Sequence, residues 1–175
     1  MDGIGILPTD TLYGLVGSAL SPEVVDRIYK LKKRKLNKPF IILIASLDDL
    51  KLFEVSLDKF QEEFLQKNWP NPLSVILACS PREAGPESKF EYLHRGTKTL
   101  AFRIPKDEKL LEYLKKSGPL VAPSANPEGK KPAETLEEAK KYFGDRVDFY
   151  IDGGKLSGQP STLVSIKNGK IDIIR

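Results

Sequence analysis

Pro8-Thr9-Asp10-Thr11-Leu12-Tyr13-Gly14-Leu15 follows the apolar run Ile4 to Leu7 and sets hydroxyl, carboxylate and phenol groups where a strand should end. In an open α/β sheet the strand ends face a crevice, so polar groups crowded there meet a ligand more often than they fill a core. The stretch therefore predicts an α/β fold with a site opening beyond the first strand. Two other clusters agree with it. Residues 32 to 38 read Lys-Lys-Arg-Lys-Leu-Asn-Lys, and residues 121 to 126 read Val-Ala-Pro-Ser-Ala-Asn. A basic loop and a hydroxyl-amide loop together suit a phosphate-bearing ligand.

Outward from this stretch, short branched apolar runs recur at Phe40 to Ala45, Leu73 to Cys79, Leu100 to Ile104, Leu120 to Ala122, Val147 to Ile151, Thr162 to Ile166 and Ile171 to Ile174. Their length and composition read as strands. Helices are expected between them. Pro22 after Ser21 starts one, Ser56 caps another through Lys67, Asp107 caps one ending at Gly118, and Thr135 with Glu138 forms a capping box for a helix through Tyr142. Asn168-Gly169 between two strand-like runs predicts a tight hairpin, so the last two strands are antiparallel and the sheet is mixed. Ser80 to Gly96, rich in Pro, Gly and charge, reads as a mobile surface loop and a candidate lid.

At 175 residues the chain has the size of one domain, and residues 1–175 are read as such. Hydrophobic residues at 40% and charged residues at 30% are ordinary for a soluble protein, and no run is long enough to cross a bilayer. No secretion signal precedes the first strand, which predicts a cytoplasmic address. Cys79 and His94 are the only residues of their kinds, which excludes an internal disulfide, a thiolate cluster and a histidine-rich metal site within the chain. Cys79 reads as a buried structural thiol, and His94 as a surface histidine without hydrolase context. The formal charge of +4 and pI near 9.0 fit an anionic ligand or weak nucleic-acid association equally well.

Lys30, Lys32, Lys33, Arg34, Lys35 and Lys38 gather at a predicted helix C-terminus, where the dipole alone attracts cations. Asn37-Lys38-Pro39 extends the charge toward a buried strand, which favours ligand binding. Val121 to Pro127 taken alone is a turn signature. Asp152-Gly153-Gly154 and Gly158 to Thr162 cradle a phosphate or simply turn, and match neither the Walker pattern nor the dinucleotide fingerprint. Arg103 interrupts the strand Leu100 to Ile104 and so needs an anion, either Asp10 or the carboxylate of an amino-acid ligand. Thr99 lies four residues earlier on the same strand face.

The order PTDTLYGL, IYKLKKRKLNKPFIILI, WPNPLSVIL, TLAFRIP, PLVAPSAN, then DGG with PSTLV and a final arginine resembles the YrdC-like family across nearly the whole chain. The resemblance implies a single α/β domain, with a twisted mixed sheet and flanking helices around a positively charged cavity. It implies an enzyme, a nucleotidyltransferase making threonylcarbamoyl-AMP from L-threonine, bicarbonate and ATP with Mg2+ for tRNA threonylcarbamoyladenosine modification. Downstream transferase proteins pass the product to tRNA.

Carried onto this chain, the resemblance puts Lys32, Arg34, Lys38, Thr99, Ser124, Asn126 and Arg175 at ATP, and Thr11, Arg103 and Ser161 at threonine. It assigns no covalent catalyst: Lys32 and Arg34 stabilise charge. Metal-holding residues are left unassigned. Departures are Lys35 for a frequent proline, Leu43 for a histidine in some members, Ser74 for a common threonine, and the absence of a helix before the first strand. The expected chemistry is attack of a threonine-derived carbamate on the α-phosphorus of ATP, which rests on alignment and charge neutralisation instead of a triad. A non-catalytic RNA-binding module using the same basic cavity is the alternative, and carbamoyl transfer, as in larger hydrogenase-maturation proteins, is a third reading.

Overall fold

The computed structural model describes residues 3–36, 38–79, 88–167 and 169–175. In chain order the elements are β1 (Gly5–Pro8), β2 (Tyr13–Ser18), α1 (Pro22–Lys32), β3 (Ile41–Leu43), α2 (Lys59–Asn68), β4 (Leu73–Ala78), α3 (Glu91–His94), β5 (Thr99–Arg103), α4 (Glu108–Ser117), β6 (Leu120–Val121), α5 (Leu136–Phe143), β7 (Phe149–Tyr150), β8 (Thr162–Lys167) and β9 (Lys170–Ile173). The strands form one sheet in the order β7-β1-β2-β6-β3-β5-β4-β8-β9. Among the described residues three pairs are parallel (β1 with β7, β3 with β5, β4 with β8) and the other five antiparallel, so the sheet is mixed. Gly169 at φ 70° and the pairing of Lys167 with Lys170 give the expected final hairpin.

Alternation along the strands divides the side chains between two cores. Leu100 and Phe102 of β5 join the larger one with Val24, Val25 and Ile28 of α1, Leu65 of α2 and Phe143 of α5. The opposite face carries a smaller cluster, in which Leu7, Val16, Leu43 and Leu120 pack against Leu110 and Leu114 of α4. Ala101 and Arg103 point to that second face, which α4 covers only in part. The uncovered part holds the site.

The sequence reading overlooked β2, and with it the nature of the first strand's end. Thr9 to Leu12 form the tip of a β1–β2 hairpin in which Pro8 pairs with Tyr13. Gly14 and Gly17 dilute the apolar signal of β2, yet Gly17 has a packing reason: a Cβ there would lie 2.4 Å from Val24 Cγ1 of α1.

Ser56 does not cap α2. Asp58 does, accepting from Gln61 N at 2.8 Å while the Gln61 side chain accepts from Asp58 N at 3.0 Å. The chain thus prefers a reciprocal capping box to an isolated serine two residues earlier. Asp58→Ala should cost about 1 kcal/mol in urea unfolding, and an unchanged midpoint would refute the cap's contribution. Asp107 caps α4 as expected, through Leu110 N at 2.7 Å. Thr135 caps α5, but Glu138 accepts from Glu134 N at 2.8 Å, so only half of the predicted box forms.

His94 is buried, not superficial: its Nε2 lies 2.9 Å from Ser88 Oγ and its Nδ1 accepts from Gly96 N at 3.2 Å. Its place at the end of the four-residue α3 was hidden because so short a helix leaves no periodicity. Cys79 is half-buried, and burial pushes its thiol up to about 11, which suits an inert group. Of the predicted loop, residues 80–87 lie outside the described ones.

Candidate active site

The hairpin tip is built by Thr9. Its Oγ1 donates to Leu12 O at 2.7 Å and accepts from Thr11 N and Leu12 N at 3.2 Å, so a hydroxyl closes the turn. Thr11 is thereby held toward β5, where Arg103 Nη1 donates to Thr11 Oγ1 at 3.1 Å. Asp10 stands beside the same guanidinium, with Oδ1 3.3 Å from Arg103 Nη2, while its Oδ2 accepts from Lys106 N at 3.0 Å. The Asp10–Arg103 contact is a charge contact without hydrogen-bond alignment: Asp10 Oδ1 and Arg103 Nε are buried and have no hydrogen-bond partner. The unmet donor is Arg103 Nε and the unmet acceptor Asp10 Oδ1, so this pair does not satisfy itself within the protein.

Around these groups lies an open hollow, walled by Thr9, Thr11, Arg34, Arg103, Ser124, Ser161 and Arg175 among others. Arg34 reaches it from the segment after α1, steadied by Nε donating to Lys38 O at 3.0 Å and by the Phe40 ring 5.4 Å away. Arg175 arrives from the end of the sheet, with Nη2 donating to Ser161 O at 3.3 Å. Ser161 Oγ lies 2.8 Å from Ser74 Oγ, both buried. Burial lowers the pKa of Arg34 and of Arg103, and the charge of Arg175 lowers both further. Arg175 thus repels both other guanidiniums, and with Asp10 as close counter-ion to Arg103 alone the hollow is a site for anions. A roomier hollow beside Leu110 and Tyr113 carries Asp107, Lys109 and Asp152 on its wall but no arginine.

Six of the ten site residues expected from sequence thus meet on one wall: Thr11, Arg34, Arg103, Ser124, Ser161 and Arg175. The other four do not line it. Lys32 is buried beneath, donating to Ser124 O at 2.5 Å and Asn126 O at 2.6 Å. Asn126 donates through Nδ2 to Pro127 O and Lys130 O. Lys38 pairs with Glu128 at 2.5 Å on the outside. Thr99 shares the strand face of Arg103 but sits at the far end of β5, opposite Ala78. Leu43 is wholly buried in the smaller core and contributes no polar group. Sequence reasoning missed Thr9 as the organiser of the turn; its spacing to Leu12, a hydroxyl three residues before a backbone partner, was the available signal.

Burial pulls the Lys32 pKa down to about 7, Arg34 adding to the effect and Glu128 opposing it. The unfolded chain keeps that proton to about 10.5, so between these values the unfolded state binds more protons and stability rises with pH through this group. From pH 7 to 9, wild type should gain over Lys32→Met by up to about 1.4 kcal/mol per pH unit in urea unfolding. Parallel pH slopes would remove the assignment.

The family model of Sua5/YciO/YrdC, described as telomere recombination, matches residues 1–175. This chain belongs to that family. Over 173 residues it is 34% identical to a Methanocaldococcus jannaschii protein provisionally named a threonylcarbamoyl-AMP synthase, covering 98% of this chain and 78% of that one. It is 33% identical to the Pyrococcus abyssi threonylcarbamoyl-AMP synthase over 91% of its own length and 46% of the relative's. The structure of P. abyssi Sua5 complexed with L-threonine superposes with a TM-score of 0.88 at 30% identity, over 99% of this chain and 50% of that chain. The chain therefore spans about half the length of the P. abyssi relative. Family membership agrees with the mixed α/β sheet described above.

Proposed function

We propose that this chain is a threonylcarbamoyl-AMP synthase, a nucleotidyltransferase acting on L-threonine, bicarbonate and ATP. The observation that carries this reading is the meeting of Arg34, Arg103 and Arg175 with the Thr11, Ser124 and Ser161 side chains around one hollow. The P. abyssi complex with L-threonine supports an amino-acid occupant.

Arg103, which lines the hollow beside the Thr11 hydroxyl and keeps its Nε unpaired, would grip the threonine carboxylate. The threonine amine and bicarbonate form a carbamate and release water. A carbamate oxygen then attacks the α-phosphorus, the new P–O bond forming as the bond to pyrophosphate breaks. Arg34 and Arg175 neutralise charge spreading over the phosphate oxygens, the Ser124 loop holds the nucleotide, and no side chain forms a covalent bond to substrate.

Among the described residues no group of three or more His, Cys, Asp or Glu side chains is placed to hold a metal. Mg2+ is proposed to arrive with the ATP phosphates, where it would add to charge neutralisation. No helix among the described residues is long and apolar enough to cross a membrane. Work in the cytoplasm, delivery of the product to tRNA and hand-over to a transferase complete the proposal.

Incubation with ATP, Mg2+, bicarbonate and L-threonine should release pyrophosphate only when threonine is present. Release that ignores threonine, or none, would defeat the proposal. An RNA-binding module would instead bind RNA with steep salt dependence and be indifferent to threonine.

A further inference from the structure

Lys32 closes the last turn of α1, and its side chain turns inward until the residue is 2% exposed. The ammonium meets three oxygens, Ser124 O at 2.5 Å, Asn126 O at 2.6 Å and Asn126 Oδ1 at 3.5 Å. Three N–H donors for three acceptors leave no donor for a ligand. The backbone repeats the link, since Glu128 N donates to Lys32 O at 2.7 Å. Across this junction the Ser124 hydroxyl donates to Asn126 Oδ1 at 2.6 Å and stands on the wall of the hollow, on which Lys32 has no place. Arg34, two residues on, does line it.

We propose that Lys32 is a positioning residue that pins the Ser124–Asn126 loop to the end of α1, and that Arg34, not Lys32, is the member of the pair that touches the anionic ligand. The inference deepens the synthase reading and rests on it for the identity of that ligand. The buried Lys32 amino group donates to two carbonyls and draws the loop inward, which aims the loop's hydroxyl outward. Removing it leaves those carbonyls unpaired in a dry place, and the loop must open to hydrate them.

The test compares Lys32→Met and Arg34→Met at pH 6.5 with no ligand. Hydrogen exchange across residues 126–130 should rise at least tenfold in Lys32→Met and stay at the wild-type rate in Arg34→Met, while both bind MgATP at least tenfold more weakly in titration calorimetry. Wild-type exchange in Lys32→Met together with lost MgATP binding would make Lys32 a direct ligand and overturn the proposal. Should Lys32→Met fail to fold, reductive methylation of wild type decides: Lys32 should resist labelling with and without MgATP. Labelling in the free protein that MgATP prevents would also overturn it. If wild type binds no MgATP, the synthase reading fails, while the ligand-free exchange and labelling results still judge the pin.

Discussion

Arg103→Met is expected to weaken threonine binding by about 10²–10³-fold, the usual consequence of truncating one partner of a buried, hydrogen-bonded charge pair. Stability should fall with it. The side chains of Arg103 and Asp10 are 5% and 7% exposed, so loss of the guanidinium strands a carboxylate away from water, at a cost of about 3–5 kcal/mol. The two effects separate in the double variant. Adding Asp10→Asn to Arg103→Met replaces the stranded charge by a neutral amide, which should restore most of the unfolding free energy while threonine-dependent pyrophosphate release stays absent. Recovery of activity in the double variant would show that Arg103 serves the fold alone.

Gly158→Ala should be nearly as damaging for a different reason. A Cβ at residue 158 would lie 2.2 Å from the Thr11 carbonyl oxygen, a backbone atom that cannot swing aside. The segment from Asp152 has little freedom to retreat, because the Tyr13 hydroxyl donates to Gly154 O at 2.8 Å and accepts from Gly153 N at 2.8 Å. Either the segment lifts or the hairpin tip shifts, and displacement of a reacting group by about 1 Å costs on the order of 10²-fold in rate. The Michaelis constant for threonine should rise, with about 1–3 kcal/mol lost in stability from overpacking. A Michaelis constant equal to that of wild type would mean that the segment yields without moving Thr11.

Much of the site was legible because cations and hydroxyls interrupting apolar runs have few uses other than binding. Arg103 is the clearest instance: a guanidinium in the middle of a strand needs an anion, and Asp10 was the protein partner expected from sequence and found at 3.3 Å. What sequence could not supply was the direction of a side chain. Lys32 and Arg34 look equivalent in the basic run, but one turns under the loop and the other over the hollow, a choice made by the end of α1 at Lys33, where φ of 51° reverses the chain. Fold legibility followed the same division. Strands with continuous branched runs were plain, whereas β2, diluted by Gly14 and Gly17, was visible only once α1 was seen to lie on it. The burial of His94 depends on Ser88 and the fold around it, distant facts that its polar neighbours conceal.

The hollow draws its walls from the hairpin tip near residue 10, the middle of the chain and Arg175. Binding competence therefore requires segments far apart in the chain to be in place together, so no single stretch of it carries enough of the wall to recognise its small molecules. Ligand added during refolding should leave the folding rate unaltered and only slow unfolding, because the contacts it rewards are absent from any partly built intermediate.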